Sequence, residues 1–215
     1  RKDGPEAMKP IGETEFVESI AEANAKSGVA ICAGIVGMAD LTLGDAVKPV
    51  LEAHLAASPK RFRGIRHAVG WDSRETVRNS HTNPPQHLLA DAKFREGFAC
   101  LAEYDLSFDA WLYHTQIAEL TDLAKAFPET TIILDHFGGP LGIGPYEGRR
   151  AEIFKQWRSD ISALAKCENV VAKLGGLAMP INGFRWHKQP KPPTSAELVE
   201  ATSAYYLHAI EQFGP

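Results

Sequence analysis

Six of the eight histidines in this 215-residue chain fall where a parallel α/β fold gathers its chemistry. His67, His114 and His136 each close an apolar, strand-like run, and His81, His87 and His187 lie in long polar stretches that follow such runs. Neutral imidazoles brought together from neighbouring strand ends bind a divalent cation, most often zinc. A cation held there polarises a carbonyl and activates water near neutral pH. The plainer alternative is that these rings only hydrogen-bond loop backbone. Asp135 precedes His136, but strand alternation turns it to the opposite side, so it reads as a structural carboxylate that orients a neighbour.

Arg66 and Lys173 end two other apolar runs. Burying either charge alone is costly, so each meets an anionic ligand or pairs with a carboxylate. Tyr113 and Trp111 line a pocket or fill core. Residues 137–146 hold four glycines and two prolines. Their segment 138–144 either cradles phosphate through backbone N–H groups or is an ordinary turn, and it matches neither the Walker loop nor the dinucleotide fingerprint. His187 belongs to a loop long enough for a lid, or simply to solvated chain. His54, on an apolar helix face, reads as a core histidine.

These groups need elements to hold them. Thr14 can cap a helix with Phe16, Ile20 and Ala23 on its apolar face, closed by Gly28. A strand is expected over 29–36, then a helix with Val47, Val50, Leu51 and His54 at helical spacing. Strands over 62–69 and 106–113 flank a polar stretch and a helix capped by Asp91 with Phe94, Phe98 and Leu101. A helix with Ile117, Leu120 and Ala124 leads to the strand that ends at His136. A long helix over 147–166 carries Ile153, Trp157, Ile161 and Leu164. A strand over 169–174 opens into a loop of about twenty residues, long for a compact domain. Thr194 and Glu197 form a capping box for a last helix with Leu198, Ala201, Tyr205 and Ala209. Strands alternating with helices and apolar on both faces predict a parallel sheet. The long loops all follow strands, so the functional face is expected at the strands' carboxyl ends.

Composition narrows the class. With 44% hydrophobic and 23% charged residues, the chain is an ordinary globular sequence, expected to be one domain over 1–215 or part of a larger one. A net charge of −4 without a basic stripe argues against nucleic-acid binding. No apolar run approaches the roughly 18 residues of a membrane span, and no secretory signal is visible. Cys32, expected on a strand, and Cys100 and Cys167, expected on helix faces, read as buried thiols of a cytoplasmic protein.

The stretches Ile132-Ile-Leu-Asp-His-Phe-Gly-Gly-Pro140, Phe62-Arg-Gly-Ile-Arg-His67 and Val170-Val-Ala-Lys-Leu-Gly-Gly176 together resemble the amidohydrolase-2 family. Within it they look like TIM-barrel hydrolases akin to sugar lactonases and 2-pyrone-4,6-dicarboxylate lactonase. The likeness runs from about Gly4 to Pro215. It implies an incomplete (β/α)8 barrel whose five strands are the third to the seventh. It implies that His136 carries the chemistry, as a metal ligand or by polarising the substrate carbonyl, and that His114 stands where a second histidine ligand often lies. Arg66 and His67 would end the fourth strand, where binuclear members carry a bridging Lys or Glu. Neither is a carboxylate, which speaks against a binuclear centre. Arg66, His67, Tyr113 and Lys173 are then substrate-side groups. The family's first-strand His-x-His pair and eighth-strand Asp have no counterpart in these residues.

The expected parent is therefore a hydrolase that opens a lactone or related cyclic ester by attack of water, on a small-molecule lactone or carboxylate. A divalent metal, zinc first, is its expected cofactor, although some lactonases of this branch are thought to work without one. The chain reads as a fragment, inactive alone. The alternatives are a metal-dependent non-oxidative decarboxylase of the same superfamily and a non-enzymatic five-stranded phosphate-binding module. Oligomeric state is left open.

Overall fold

A computed structural model describes residues 3–214. After a first helix, α1 (Ile11–Ala23), strands and helices alternate: β1 (Ile35–Gly37), α2 (Lys48–Ala57), β2 (Phe62–Arg66), α3 (Ala92–Glu103) and β3 (Ser107–Ala110), followed by α4 (Ile117–Ala126), β4 (Ile132–Leu134), α5 (Arg150–Leu164), β5 (Val170–Ala172) and α6 (Ser195–Phe213). The sheet order is β1-β2-β3-β4-β5, and β1/β2, β2/β3 and β4/β5 pair in parallel. A doubly wound sheet reverses its strand order at a switch point, whereas a barrel adds each new strand beside the last. The sequential order here is that of an incomplete TIM barrel. Among the described residues, no helix is long and apolar enough to cross a membrane.

The strands are shorter than the apolar runs suggest. The strand expected over 29–36 shrinks to Ile35–Gly37. Val29 and Ile31 are exposed, the Ile31 N–H turns back to the Val29 carbonyl, and Cys32 has φ 52°, so this segment turns instead of pairing. Cys32 is thus not on a strand, and Cys167 lies just past α5; all three cysteines are free, with Cys100 and Cys167 buried.

The chain divides into two compact units. The first comprises residues 3–67, Leu89–Asp109 and Glu129–Thr131. Here α1 corrects the expected face: Phe16 is 64% exposed, while Ile11, Thr14, Glu18 and Ala21 are buried. The face turns because polar partners await inside. The Glu18 carboxylate accepts from the Ser58 hydroxyl and the Arg61 guanidinium, and Thr14 Oγ1 lies 2.8 Å from His54 Nδ1. The Met38 carbonyl can only accept, so His54 Nε2 donates to it at 3.1 Å and Nδ1 accepts from Thr14. Burial holds His54 below the usual histidine range, as befits a core ring stacked on Phe62. The α3 stripe forms as its spacing predicts, with the Asp91 side chain accepting from the Phe94 N–H at 2.9 Å and Phe94, Phe98 and Leu101 buried.

The second unit comprises Ala68–Leu88, Ala110–Pro128 and residues 132–214. Ile153, Trp157, Ile161 and Leu164 form the buried stripe of α5. The α6 capping box is present, the Glu197 N–H donating to Thr194 Oγ1 and the Thr194 N–H to Glu197 Oε2. Its buried face is Thr202, Tyr205, His208 and Ala209, rotated from the expected one so that Leu198 is partly exposed. Asn169 donates to the carbonyls of Ala124 and Phe127, closing the C-terminal end of α4 just before β5 begins.

Candidate active site

The end of β4 holds a run of constrained backbone. His136, Phe137, Gly138 and Gly139 have φ of 50, 59, 64 and 47°, four consecutive left-handed residues. For the two that carry a Cβ, this costs roughly 1–2 kcal/mol each. The turn survives because its surroundings fix it. The Gly138 N–H donates to the Asp135 carbonyl, the Gly139 N–H to that of His136, and Trp157 Nε1 donates to the Phe137 carbonyl at 2.7 Å. Phe137 is buried with its ring edge-on to Tyr206. Glycine is required at 139, where a Cβ would lie 2.5 Å from the Leu112 carbonyl oxygen.

This turn presents the imidazole of His136 edge-to-face with Trp111, ring centroids 5.4 Å apart. Its Nδ1 lies 3.3 Å from the Gly175 carbonyl oxygen, which can only accept. Nδ1 therefore carries the proton in the neutral ring, and Nε2 keeps its lone pair. The approach is possible only because residue 176 is glycine: a Cβ there would meet Nδ1 at 2.6 Å. Beside it, Asp135 is fully buried with Oδ1 3.0 Å from the Lys173 ammonium, itself half-exposed at the end of β5. Of the two roles open to Lys173, the ion pair is present.

His114 has the opposite proton arrangement. Its Nδ1 accepts from the Leu141 N–H at 3.3 Å, so the neutral ring carries hydrogen on Nε2. Burial pushes its pKa down to about 4, against the opposing pull of the Asp72 carboxylate. Its ring stands edge-on to Tyr146, whose hydroxyl donates to Asp72 Oδ2 at 2.7 Å. Arg74 Nη1 donates to the same hydroxyl oxygen at 3.0 Å. Burial first, and the Asp72 hydrogen bond second, push Tyr146 up to about 12. Tyr113 packs edge-on to Trp111 and donates its hydroxyl to the Arg78 carbonyl. Gln116 ties the strand ends together: its side chain donates to Val69 O and accepts from the N–H groups of Trp71 and Tyr113.

The second unit thus brings His114, Tyr113, His136 and Lys173 onto the carboxyl-end segments of β3, β4 and β5. Arg66 and His67 belong to the first unit. Arg66 is half-buried at the end of β2, and its Cα is in register with Asp109. His67 is buried against Phe94, and its Nδ1 accepts from the Leu41 N–H at 3.2 Å. Asp72, Tyr146 and Gln116 are the organising groups that the sequence does not reveal, because their partners lie 45 to 74 residues away.

Two expectations about ligands can be tested against the donors. For a metal, His136 has the right tautomer, with one ring nitrogen fixed by a carbonyl and the other free. His114 would have to surrender the Leu141 N–H before it could coordinate, and no group of three His, Cys, Asp or Glu suited to a metal occurs among the described residues. The residues described therefore do not by themselves fit a metal. For phosphate, four N–H groups of the glycine loop are engaged elsewhere: those of Gly138, Gly139, Leu141 and Gly142 donate within the protein.

The amidohydrolase family model matches residues 7–215. The chain belongs to the amidohydrolase family. It is 32% identical over 198 residues to an uncharacterised protein, y4mH, of Sinorhizobium fredii, covering 92% of this chain and 60% of that protein. It is 30% identical over 151 residues to the L-fucono-1,5-lactonase of Burkholderia ambifaria, covering 70% of this chain and 45% of the lactonase. This member of the amidohydrolases therefore spans about half the length of the curated relatives it matches. A Burkholderia multivorans amidohydrolase crystallised with bound zinc superposes with a TM-score of 0.68 at 24% identity, over 95% of this chain and 61% of that one. The same protein with bound HEPES gives 0.65 at 22%, over 100% and 71%.

Proposed function

We propose that this chain carries the His136 side of a hydrolase site that opens a lactone or related cyclic ester by attack of water. The observation that carries the reading is the tautomer of His136. With Nδ1–H given to the Gly175 carbonyl, Nε2 is an acceptor held on a rigid turn at a strand's carboxyl end. In the ring-opening step, that nitrogen takes a proton from the attacking water as its oxygen bonds to the ester carbonyl carbon. The carbonyl becomes an oxyanion, and on this reading the Lys173 ammonium, anchored by Asp135 at the end of the neighbouring strand, is the cation that stabilises it. Collapse breaks the bond to the ring oxygen, which takes up the proton, and leaves a hydroxy acid. Tyr113 and Trp111 supply the apolar wall beside His136. His114, buried and neutral, is a positioning residue that fixes Leu141 and packs on Tyr146.

Supporting the substrate class are the family match and the lactonase named among the relatives. The chain by itself, lacking the family's His-x-His pair and eighth-strand Asp, is inactive on this reading. The test is to follow ring opening of L-fucono-1,5-lactone by acid release, using the 215-residue chain and the full-length product of its gene. Turnover by the full-length gene product and none by the 215 residues alone supports the reading. Turnover by the chain at the same rate would sink the inactivity, and turnover by neither would sink the lactone.

A further inference from the structure

The carbonyl that fixes the tautomer of His136 belongs to a pair of glycines, Gly175 and Gly176, and has little local support. Gly175 stands in open space and Gly176 has φ 89°, so the backbone here has wide conformational freedom. The last ladder bond on the strand side is that of the Lys173 N–H to the Leu134 carbonyl, at 2.9 Å. The Gly175 carbonyl nevertheless sits 3.3 Å from His136 Nδ1. What holds it there acts from the other side, through the loop between β5 and α6.

From Gly176 the chain runs through successive turns. The Met179 N–H donates to the Gly176 carbonyl at 3.2 Å, and the Asn182 N–H donates to the Met179 carbonyl at 3.0 Å. The turns end on Asn182, which is buried. The Pro140 carbonyl can only accept, so it is Asn182 Nδ2 that faces it, donating at 2.8 Å. On either side, the Gly142 N–H donates to the Ile181 carbonyl at 2.8 Å and Arg150 Nη2 to the Asn182 carbonyl at 3.0 Å. Gly142 and Gly183 pass so closely that a Cβ on either would collide with backbone across the contact. The loop after β5 is thus clamped to the loop that begins at His136. Asn182 Oδ1 is buried with no hydrogen-bond partner among the described residues, which is costly. An apolar side chain would avoid that cost and lose the clamp.

We propose that Asn182 is a positioning residue for His136: by clamping the loop after β5 to the loop after β4, it holds the Gly175 carbonyl where it keeps the proton of the neutral ring on Nδ1. Without the clamp, the glycine pair lets that carbonyl swing away. The ring then takes up the Nε2–H form, which an unconstrained histidine prefers, and the nitrogen that would accept a proton already carries one. The consequence for catalysis rests on the hydrolytic reading. The control of the tautomer does not, and the test reads the tautomer.

The test is NMR of the full chain, isotope-labelled at the ring nitrogens of its histidines, at about pH 8, above the ordinary histidine range. Protonated and unprotonated ring nitrogens resonate far apart, and the His136 signals are those missing from His136→Asn. In the native chain His136 is expected as the Nδ1–H form. Asn182→Ala should move its tautomer ratio about fivefold or more toward Nε2–H, the change that loss of one neutral hydrogen bond produces. Gly142→Ala is a second lever: residue 142 is not left-handed, so alanine adds only the collision with the Asn182 carbonyl and should move the ratio the same way. Gly148→Ala, in open space, should leave it unchanged. His114, set by the Leu141 N–H, is the internal control and should keep its Nε2–H form throughout. Unfolding midpoints show that each variant compared is folded. His136 found as Nε2–H in the native chain, or an unchanged ratio in either folded variant, would overturn the proposal. So would a change at His114 alongside His136, which would mark general loosening of the strand ends.

Discussion

His114 and His136 differ by where one proton sits, and that difference assigns them separate work. The carbonyl of Gly175 fixes His136 with a free Nε2, and the N–H of Leu141 fixes His114 with a protonated one. Their positions at strand ends were legible from sequence. Their tautomers were not, because the deciding backbone groups lie 39 and 27 residues away. His114 also makes a prediction for stability. Its folded pKa of about 4 lies below the unfolded value near 6.5, so the unfolded chain binds more protons between those limits. The stability it contributes is complete above pH 6.5, falls as pH drops toward 4, and changes no further below. The loss should amount to roughly 3 kcal/mol. His54 shifts in the same direction, so the measurement is a comparison: urea unfolding of the chain and of His114→Asn at pH 7.5, 5.5 and 4. Wild type should lose more stability than the variant across that range, and parallel losses would refute the assignment.

At the scale of elements, caps and apolar stripes carried most of the information. Asp91 and the Thr194–Glu197 box stand where their spacing places them, and the α5 stripe is the buried one. In α1 the pattern misleads, because Glu18 goes inward to Ser58 and Arg61 and turns Phe16 out. No local pattern reports a carboxylate whose partners lie about forty residues on. The left-handed turn after β4 was legible only as a glycine-rich stretch; that His136 and Phe137 join it depends on Trp157 and the packing around Phe137. Two substitutions separate strain from close approach. Gly148→Ala, at φ 76° with open space around it, should cost about 1 kcal/mol. Gly139→Ala adds a 2.5 Å collision with the Leu112 carbonyl and should cost about 3 kcal/mol or more in chemical denaturation. Equal losses would mean that the turn is not held against Leu112.

For the molecule as a whole, strand order was the deciding observable. Alternating strands and helices fit either a barrel or a doubly wound module, and the sequence pattern alone leaves both standing. Five parallel strands in chain order, with a family match from residue 7 to 215, make it an incomplete amidohydrolase barrel. In the glycine loop that suggested a phosphate cradle, the N–H groups of Gly138, Gly139, Leu141 and Gly142 instead donate within the protein, and the turn shapes the base of His136. The central claim is that His136 Nε2 accepts the proton of the attacking water in lactone opening. The most direct measurement is the rate of L-fucono-1,5-lactone hydrolysis by the full-length gene product with His136 kept and with His136→Asn, unfolding midpoints being recorded alongside. A fall of about 100-fold or more in kcat with an unchanged midpoint is the predicted result. Hydrolysis that persists at the original rate in His136→Asn would contradict it.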